Sequence, residues 1–570
     1  MSSDRLERAE RHLADGDAAQ AYRLAGDVLS GEPDNPRALL LAGRIERLGG
    51  RLDDASARLE RAAELAPELA AVHLELATIY RRTRDFERCM DELTLAMHYD
   101  PGGVEAHVEM GSVLRQQNDL EGAEAALREA VARAPTDAKA LSELGWLLVN
   151  AKRHAEALGF LEQAVELNPR DIPGQNNLGY AYVKLEMYER ALEVFSRLCE
   201  RSPAFLLGPR INLGNAFDHN GELEKAERAY ESVLRFEPNN FTARWNRAHL
   251  LLGRKAFEQG WTDYEYRLQE EGVWQPRLIP FAPWKGEPLE GKTLLLSAEQ
   301  GLGDQIMFAS CVGEVAARAK RLIVECERRL ESLFRRSFPG VEIIGSEHEL
   351  VPPWLRGIGA VDYHLPAGSL PGFFRRQLSS FPAHAGYLQA DAASVARWRA
   401  TLDAIGPGFK VGISWRGGTP VTRHSLRTID VEELAPILGT PGCTFVSLQY
   451  GVGVAEDLAR LKQTTGIDVH HWQEAIDDYD QTAALCGALD MTVSVCTAVI
   501  HLNGALGRPV WIMVPSAAEW RYGASGEGMP WYPSARLFRQ PARGQWAPVI
   551  GAVAAALRTQ AASGRNSVAQ

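Results

Sequence analysis

Small and apolar residues recur along the first half of the chain on a fixed step. One set stands at Gly43, Ala77, Gly111, Gly145, Gly179, Gly214 and Ala248, and a second at Ala21, Ala55, Cys89, Ala123, Ala157, Ala191 and Ala226. Prolines keep the same beat at Pro33, Pro67, Pro101, Pro135, Pro169 and Pro203, each 34 residues after the last, then at Pro238, 35 on. A small residue is needed where two helices cross closely, and a proline stands where a helix must stop. A period held over so many steps predicts an array of stacked repeats from residue 1 to about 272. Beyond that the texture changes. Trp274, Pro276, Pro280, Pro283 and Trp284 mark a linker over 273–290, and short apolar runs follow at 293–297, 322–325 and 341–344. After a helical link near 395–404 the runs restart at 410–415, 444–448, 491–495 and 510–514. Strands alternating with helices imply parallel sheets, and two such blocks imply two Rossmann-like lobes with a site in the cleft at the strands' carboxyl ends.

The first region resembles the tetratricopeptide repeat, with about seven repeats and a longer, aromatic capping unit that ends in Gly260-Trp-Thr-Asp-Tyr-Glu-Tyr-Arg267. Such an array is a superhelix whose concave face is lined by the first helix of each repeat. One position on that helix, two before the small residue, reads Glu75, Glu109, Glu143, Asn177, Asn212 and Asn246. Asparagine donates and accepts at once, which matches a peptide backbone whatever its sequence. The architecture is similar to that of the nucleocytoplasmic O-GlcNAc transferases, in which an asparagine ladder holds the acceptor peptide. The resemblance implies acceptor contacts from Asn177, Asn212, Asn246 and Glu143. The alternative is that these are ordinary solvated helix positions.

Composition narrows the setting. The chain has 570 residues, too many for one core, and is 45% apolar and 24% charged. The stretch 1–16 is polar and charged, and no apolar run reaches the ~18 residues of a membrane span. Seven scattered cysteines form no CxxC pair, which favours a reducing, cytoplasmic setting over a disulfide framework or a structural zinc site. A net charge of −12 argues against nucleic acid as a partner.

The second region resembles a GT-B glycosyltransferase of the heptosyltransferase-related kind over about 280–558. The resemblance is carried by Glu299-Gln-Gly-Leu-Gly-Asp304, Gly412-Ile-Ser-Trp415, Ser447-Leu-Gln449, Ser494-Val-Cys-Thr-Ala-Val-Ile-His501, Gly504-Ala-Leu-Gly-Arg-Pro509 and Pro530-Trp-Tyr-Pro-Ser-Ala-Arg-Leu-Phe-Arg-Gln540. It implies an acceptor-side lobe at 291–394, an inter-lobe helix at 395–409 and a nucleotide-sugar lobe at 410–558, with 559–570 a disordered tail. The expected fold is thus an α-solenoid of tetratricopeptide repeats followed by an α/β GT-B domain. A dinucleotide-dependent oxidoreductase fits less well, because Gly301-Leu-Gly303 is followed by Ile306 where GxGxxG requires its third glycine.

Glycosyl transfer to a hydroxyl needs a base for the acceptor proton and positive potential for the departing phosphate. The resemblance makes Asp304, in the Gly-Asp turn after the first strand, that base; capping the next helix is the alternative role. Thr497 and Ala498 open a helix whose N–H groups suit an anion. His501, Trp415, Arg416 and Gln449 join them as donor-binding candidates, with Arg423 and Arg427 as further cations. Cys496 stands where relatives commonly carry aspartate. That departure suits an acidic donor sugar, which an aspartate would repel, or a decayed catalytic half. No metal is expected: the DxD at Asp478-Tyr-Asp480 follows a polar stretch, and His470–His471 has no third ligand at recognisable spacing. Nor is a cofactor expected beyond a nucleotide sugar as co-substrate. The expected function is transfer of a sugar to Ser or Thr hydroxyls of a protein held by the repeats, with flagellin as the acceptor by resemblance. A non-catalytic repeat scaffold and a glycan- or lipid-directed transferase are the alternatives.

Overall fold

The computed structural model describes residues 2–269, 277–347, 349–418 and 424–568. Trp274 and Pro276 of the expected linker, and Arg423, lie outside the described residues. The chain divides into two compact units, the first ending at Ala216 and the second beginning at Phe217.

The first unit is built of helix pairs, among them Pro36–Leu48 with Leu52–Leu65, Val104–Gln116 with Leu120–Arg133, and Ile172–Lys184 with Tyr188–Arg201. The small residues sit where the helices of a pair cross. A Cβ on Gly111 would lie 2.6 Å from Leu127 Cγ, and one on Gly179 2.6 Å from Phe195 Cζ. The tight turns inside the pairs carry a second, hidden beat. Residues 16, 50, 84, 118, 152 and 186 all have left-handed backbone, although only Gly16 and Gly50 are glycine. Arg84, Asn118, Lys152 and Glu186 hold φ of 62° to 64°. That conformation costs roughly 1–2 kcal/mol per non-glycine residue, which the buried crossing on either side of each turn offsets. The same turn recurs in the second unit at Gly221 and Lys255.

The repeats do not end where the units divide. The helices Leu223–Leu234, Phe241–Gly253 and Phe257–Tyr264 belong to the second unit, so the expected domain boundary at 272 is not the boundary between compact bodies. The reason is burial. Trp261 donates its indole N–H to the Arg375 carbonyl at 2.9 Å and meets Trp520 edge-on, 5.5 Å between centroids. Arg267, 1% exposed, makes a bidentate pair with Glu299, 0% exposed, at 2.9 and 2.6 Å. The apolar, charged and aromatic surfaces of the last repeat are finished by the α/β part, not by another repeat.

That α/β part holds two sheets. The first contains β1 (Ala282–Pro283), β2 (Thr293–Ser297), β3 (Arg321–Glu327), β4 (Glu342–Ser346) and β5 (Tyr363–Pro366), all parallel, in the order β1-β5-β2-β3-β4. The second contains β6 (Phe409–Ser414), β7 (Cys443–Ser447), β8 (Met491–Val495), β9 (Val510–Val514), β10 (Gly528–Met529) and β11 (Tyr532–Arg539). Its order is β10-β11-β9-β8-β6-β7, parallel except for β10 against β11. The seven apolar runs of the sequence became β2, β3, β4, β6, β7, β8 and β9. Three expectations need correcting. β1 lies inside the expected linker, because it pairs with β5 at the edge of the first sheet. The inter-lobe helix is Ala392–Ala404, started by Asp391, whose side chain accepts from the Ser394 N–H at 2.8 Å; Gly406 and Gly408 (φ 122° and 128°) then separate it from β6. Residues 559–568 are not a disordered tail. The helix Ala547–Val568 continues through them, anchored by buried Val549, Ile550, Val553, Leu557 and Ala561. Among the described residues, no helix is long and apolar enough to cross a membrane.

Candidate functional site

In each sheet one strand ends in a turn that opens a helix, and the two turns line one cavity. From β2 the chain passes through Glu299 and Gln300, a non-glycine residue at φ 61°, into the helix Leu302–Phe308. Such strain persists where surrounding structure holds it, and the Tyr264 hydroxyl accepts from the Gln300 amide at 2.7 Å. From β8 the chain passes through Cys496 and Thr497 into the helix Ala498–Ala505. The two helices approach so closely that a Cβ on Gly303 would lie 2.8 Å from His501 Cδ2. The cavity, about 470 Å³, is lined by Asp304, Cys496, Thr497, Ala498 and His501 from these turns, and by Arg427, Glu519, Arg521 and Tyr522.

Asp304 is not an N-cap; that position is Gly301. It occupies the third helical residue and reaches back to the Gly301 N–H, as an N3 carboxylate does. Its other partner is Arg521, whose Nη2 donates to Asp304 Oδ1 at 2.6 Å. Arg521 also pairs with Glu519, and Glu519 in turn with Arg427 at 2.9 Å. The result is a chain of alternating charge along the cavity wall. Burial raises the Asp304 carboxyl above the usual aspartate range; Glu519 adds to the rise and Arg521 opposes it. A raised carboxylate is a stronger base once ionised.

Opposite charge is supplied by backbone as well. Thr497 makes no side-chain cap bond to the helix it starts, and its hydroxyl meets Ser494 Oγ at 3.1 Å instead. The helix start therefore leaves N–H groups for an anion, although the Ile500 N–H is engaged by the Thr497 carbonyl at 3.3 Å. His501 hydrogen-bonds the Tyr532 hydroxyl through Nδ1 at 3.0 Å, and burial with nearby Arg521 keeps its imidazole neutral by lowering its pKa well below the ordinary value. Burial pushes the Cys496 thiol up to about 12, so it is protonated at neutral pH and unsuited to be a nucleophile.

Three donor candidates lie elsewhere. Gln449 is a clasp: its Oε1 accepts from Ser414 Oγ, Trp415 N and Arg416 N at 3.0, 2.9 and 2.8 Å, and its Nε2 donates to the Arg416 and Tyr450 carbonyls. Trp415 is buried and donates its indole N–H to Asp457 at 3.0 Å. Arg416 is tied to Asp457 at 3.2 Å and to the Val452 carbonyl at 3.0 Å. These side chains hold the ends of β6 and β7 together and do not line the cavity. The DxD is likewise occupied: Asp478 caps the helix Tyr479–Ala488, and Asp480 pairs with Arg336.

In the repeats, Glu75 and Glu109 are buried and ion-paired, Glu75 to Arg44 and Arg47 at 2.5 Å each, Glu109 to Arg81 at 2.9 Å and Lys139 at 3.2 Å. They join adjacent repeats. Glu143, Asn177 and Asn212 are half-buried in the first unit, and Asn212 donates to Asn176 at 2.9 Å. Asn246 belongs to the second unit. The residues that sequence reasoning missed are Glu519, Arg521 and Tyr522. They follow β9 at its carboxyl end, and that position was the available signal.

Tetratricopeptide-repeat profiles match residues 12–74, 108–172, 172–205 and 211–271, so the repeats run across the N-terminal region and into the second unit. Protein FlbA of Caulobacter vibrioides is 35% identical over 363 residues, which are 60% of this chain and 60% of FlbA. The chain thus spans less than two thirds of that relative's length. Among solved structures, a chain of the APC/C hetero-tetramer Cut9–Hcn1 is similar at a TM-score of 0.40 and 18% identity, over 43% of this chain and 48% of that one. PilF of Pseudomonas aeruginosa is similar at a TM-score of 0.34 and 20% identity, over 38% of this chain and 99% of its own.

Proposed function

We propose that the chain is a GT-B glycosyltransferase that moves a sugar from a nucleotide donor to a Ser or Thr hydroxyl of a protein held by the repeats. One observation carries the reading: Asp304, a carboxylate with raised basicity, shares a cavity with a helix N-terminus and three arginines, Arg329, Arg427 and Arg521. Asp304 takes the proton from the acceptor hydroxyl as its oxygen attacks the sugar carbon. The bond to the leaving phosphate breaks as that attack proceeds, which inverts the configuration. The negative charge on the phosphate is met by the N–H groups at Ala498–Ala505, by Arg427 and by Arg521, so the site supplies its own positive potential. Repeats of this type bind proteins, which favours a polypeptide acceptor over a glycan or lipid. Flagellin is the acceptor we propose, in keeping with the flagellar-related name of the FlbA relative.

The test is a thermal-shift screen against UDP-, GDP-, ADP- and CMP-linked sugars, followed by a mass-spectrometric transfer assay with wild type and Asp304→Ala. A donor at 100 times its dissociation constant stabilises the fold by about 2.7 kcal/mol. A shift with one donor, and transfer lost in Asp304→Ala, is the expected result. No shift and no transfer with any donor would leave a repeat scaffold and make Cys496 a mark of decay rather than of a different donor.

A further inference from the structure

On the reading just given, Arg521 has two claimants. It donates to Asp304 at 2.6 Å from one end of its guanidinium and pairs with Glu519 from the other, and all three line the cavity together with the N–H groups of Thr497 and Ala498. Glu519 also holds Arg427 at 2.9 Å. Arg521 and Arg427 are thus matched by two carboxylates, and Arg329, the third arginine lining the cavity, pairs with Glu327 at 2.8 Å. A phosphate entering the cavity meets positive charge that is already spent, and a base whose lone pair is already engaged.

We propose that Arg521 is a shared positioning residue: it leaves Asp304 for the donor's phosphate, so that Asp304 is released as a base only when the donor is in place. Glu519 makes the transfer feasible, because it anchors the far side of the guanidinium while the near side changes partner. An arginine has five N–H donors in a fixed fork, enough to keep one carboxylate while taking a phosphate oxygen. The consequence is an order of binding, donor before acceptor, which also guards against transferring the acceptor's proton when no sugar is present to receive the attack. A purely structural Arg521–Asp304 bridge predicts the reverse of what sharing predicts, since losing either partner of such a bridge loosens the site.

The experiment is titration calorimetry of the full-length protein with UDP, GDP, ADP and CMP in turn, using wild type, Asp304→Asn, Arg521→Met and the double variant, each checked for an unchanged melting profile. For whichever nucleotide binds wild type, Asp304→Asn is expected to tighten binding by about tenfold, because the arginine no longer has to be taken from a carboxylate. Arg521→Met weakens binding by about tenfold. In the Arg521→Met background the gain from Asp304→Asn disappears, since a buried carboxyl without its arginine takes up a proton and repels nothing. Unchanged or weaker binding by Asp304→Asn would overturn the sharing and leave the donor site intact. A gain of equal size with and without Arg521 would reduce Asp304 to simple repulsion and also overturn it. If no nucleotide binds any of the four proteins, the donor reading itself fails.

Discussion

Glu75 in the repeats and Asp304 in the cavity wall are both gripped by arginine, yet they differ in what else they can reach. Glu75, its side chain 5% exposed, is closed off by Arg44 and Arg47. Asp304, 17% exposed, meets one arginine and opens on a cavity. Glu299 repeats the first case in the second unit, where Arg267, the Gly368 N–H and complete burial leave its oxygens nothing further to bind. An arginine–carboxylate pair is therefore no sign of chemistry in itself. It becomes one when the pair is incomplete on a side that a substrate can approach.

The comparison is broken most forcefully at Glu299. Replacing one partner of a fully buried pair leaves an uncompensated charge, so Glu299→Ala should destabilise the second unit by about 3–5 kcal/mol, read as a drop in its melting temperature. Asp304→Asn should do the opposite in kind: a melting temperature near wild type, with transfer reduced about 10²- to 10⁴-fold. A large loss of stability there would place Asp304 with Glu299 and against the chemical reading. The pH dependence sharpens the same point. Because burial raises the folded carboxyl, the stability it contributes is greatest at low pH and falls as pH rises through its folded pKa. Activity runs the other way, since the ionised base is needed. The acid limb of the rate profile should lie above the ordinary aspartate value of about 3.9, and Asp304→Glu should move it. Glu75→Ala, with Arg44 half in solvent, should loosen the first unit by about 1–3 kcal/mol, visible as faster amide exchange in the helices Pro36–Leu48 and Ala70–Arg82 and no change in transfer. The smallest effect belongs to Asn177→Ala with Asn212→Ala: a fall of about tenfold in acceptor affinity, about 0.7 kcal/mol for each carboxamide lost, with donor binding unchanged in calorimetry. Equal acceptor affinity would return these asparagines to ordinary helix surface.

The strands that could be read in advance are those buried on both faces. Leu294–Leu296 within β2 and Val510–Val514 are unbroken apolar runs, and Met491–Val495 is buried throughout although Thr492 and Ser494 interrupt it, because central parallel strands have helices above and below them. The strands that escaped were the two-residue β1 and β10, β5, four residues containing a histidine and a proline, and β11, whose arginines and serine suit its partly exposed position. At the site, Asp304, Cys496, Thr497, Ala498 and His501 were legible because they lie within motifs at strand ends. Gln449 was legible as important but not as a clasp, since four of its five side-chain hydrogen bonds go to Ser414, Trp415 and Arg416, more than 30 residues away along the chain. Glu519 and Arg521 carried no motif at all.

Local rules are enough for what repeats locally. A period of 34, a small residue at each crossing and an apolar run at seven of the strands are dictated by neighbours a few residues away, and they determined the helix pairs and those seven strands. Tertiary structure alone decided that the last repeat joins the α/β body, because Trp261 and Arg267 find partners more than 30 residues along the chain. It alone decided that Arg521 meets Asp304, 217 residues apart. The energy of such a contact depends on burial and distance, and neither exists until the chain has folded.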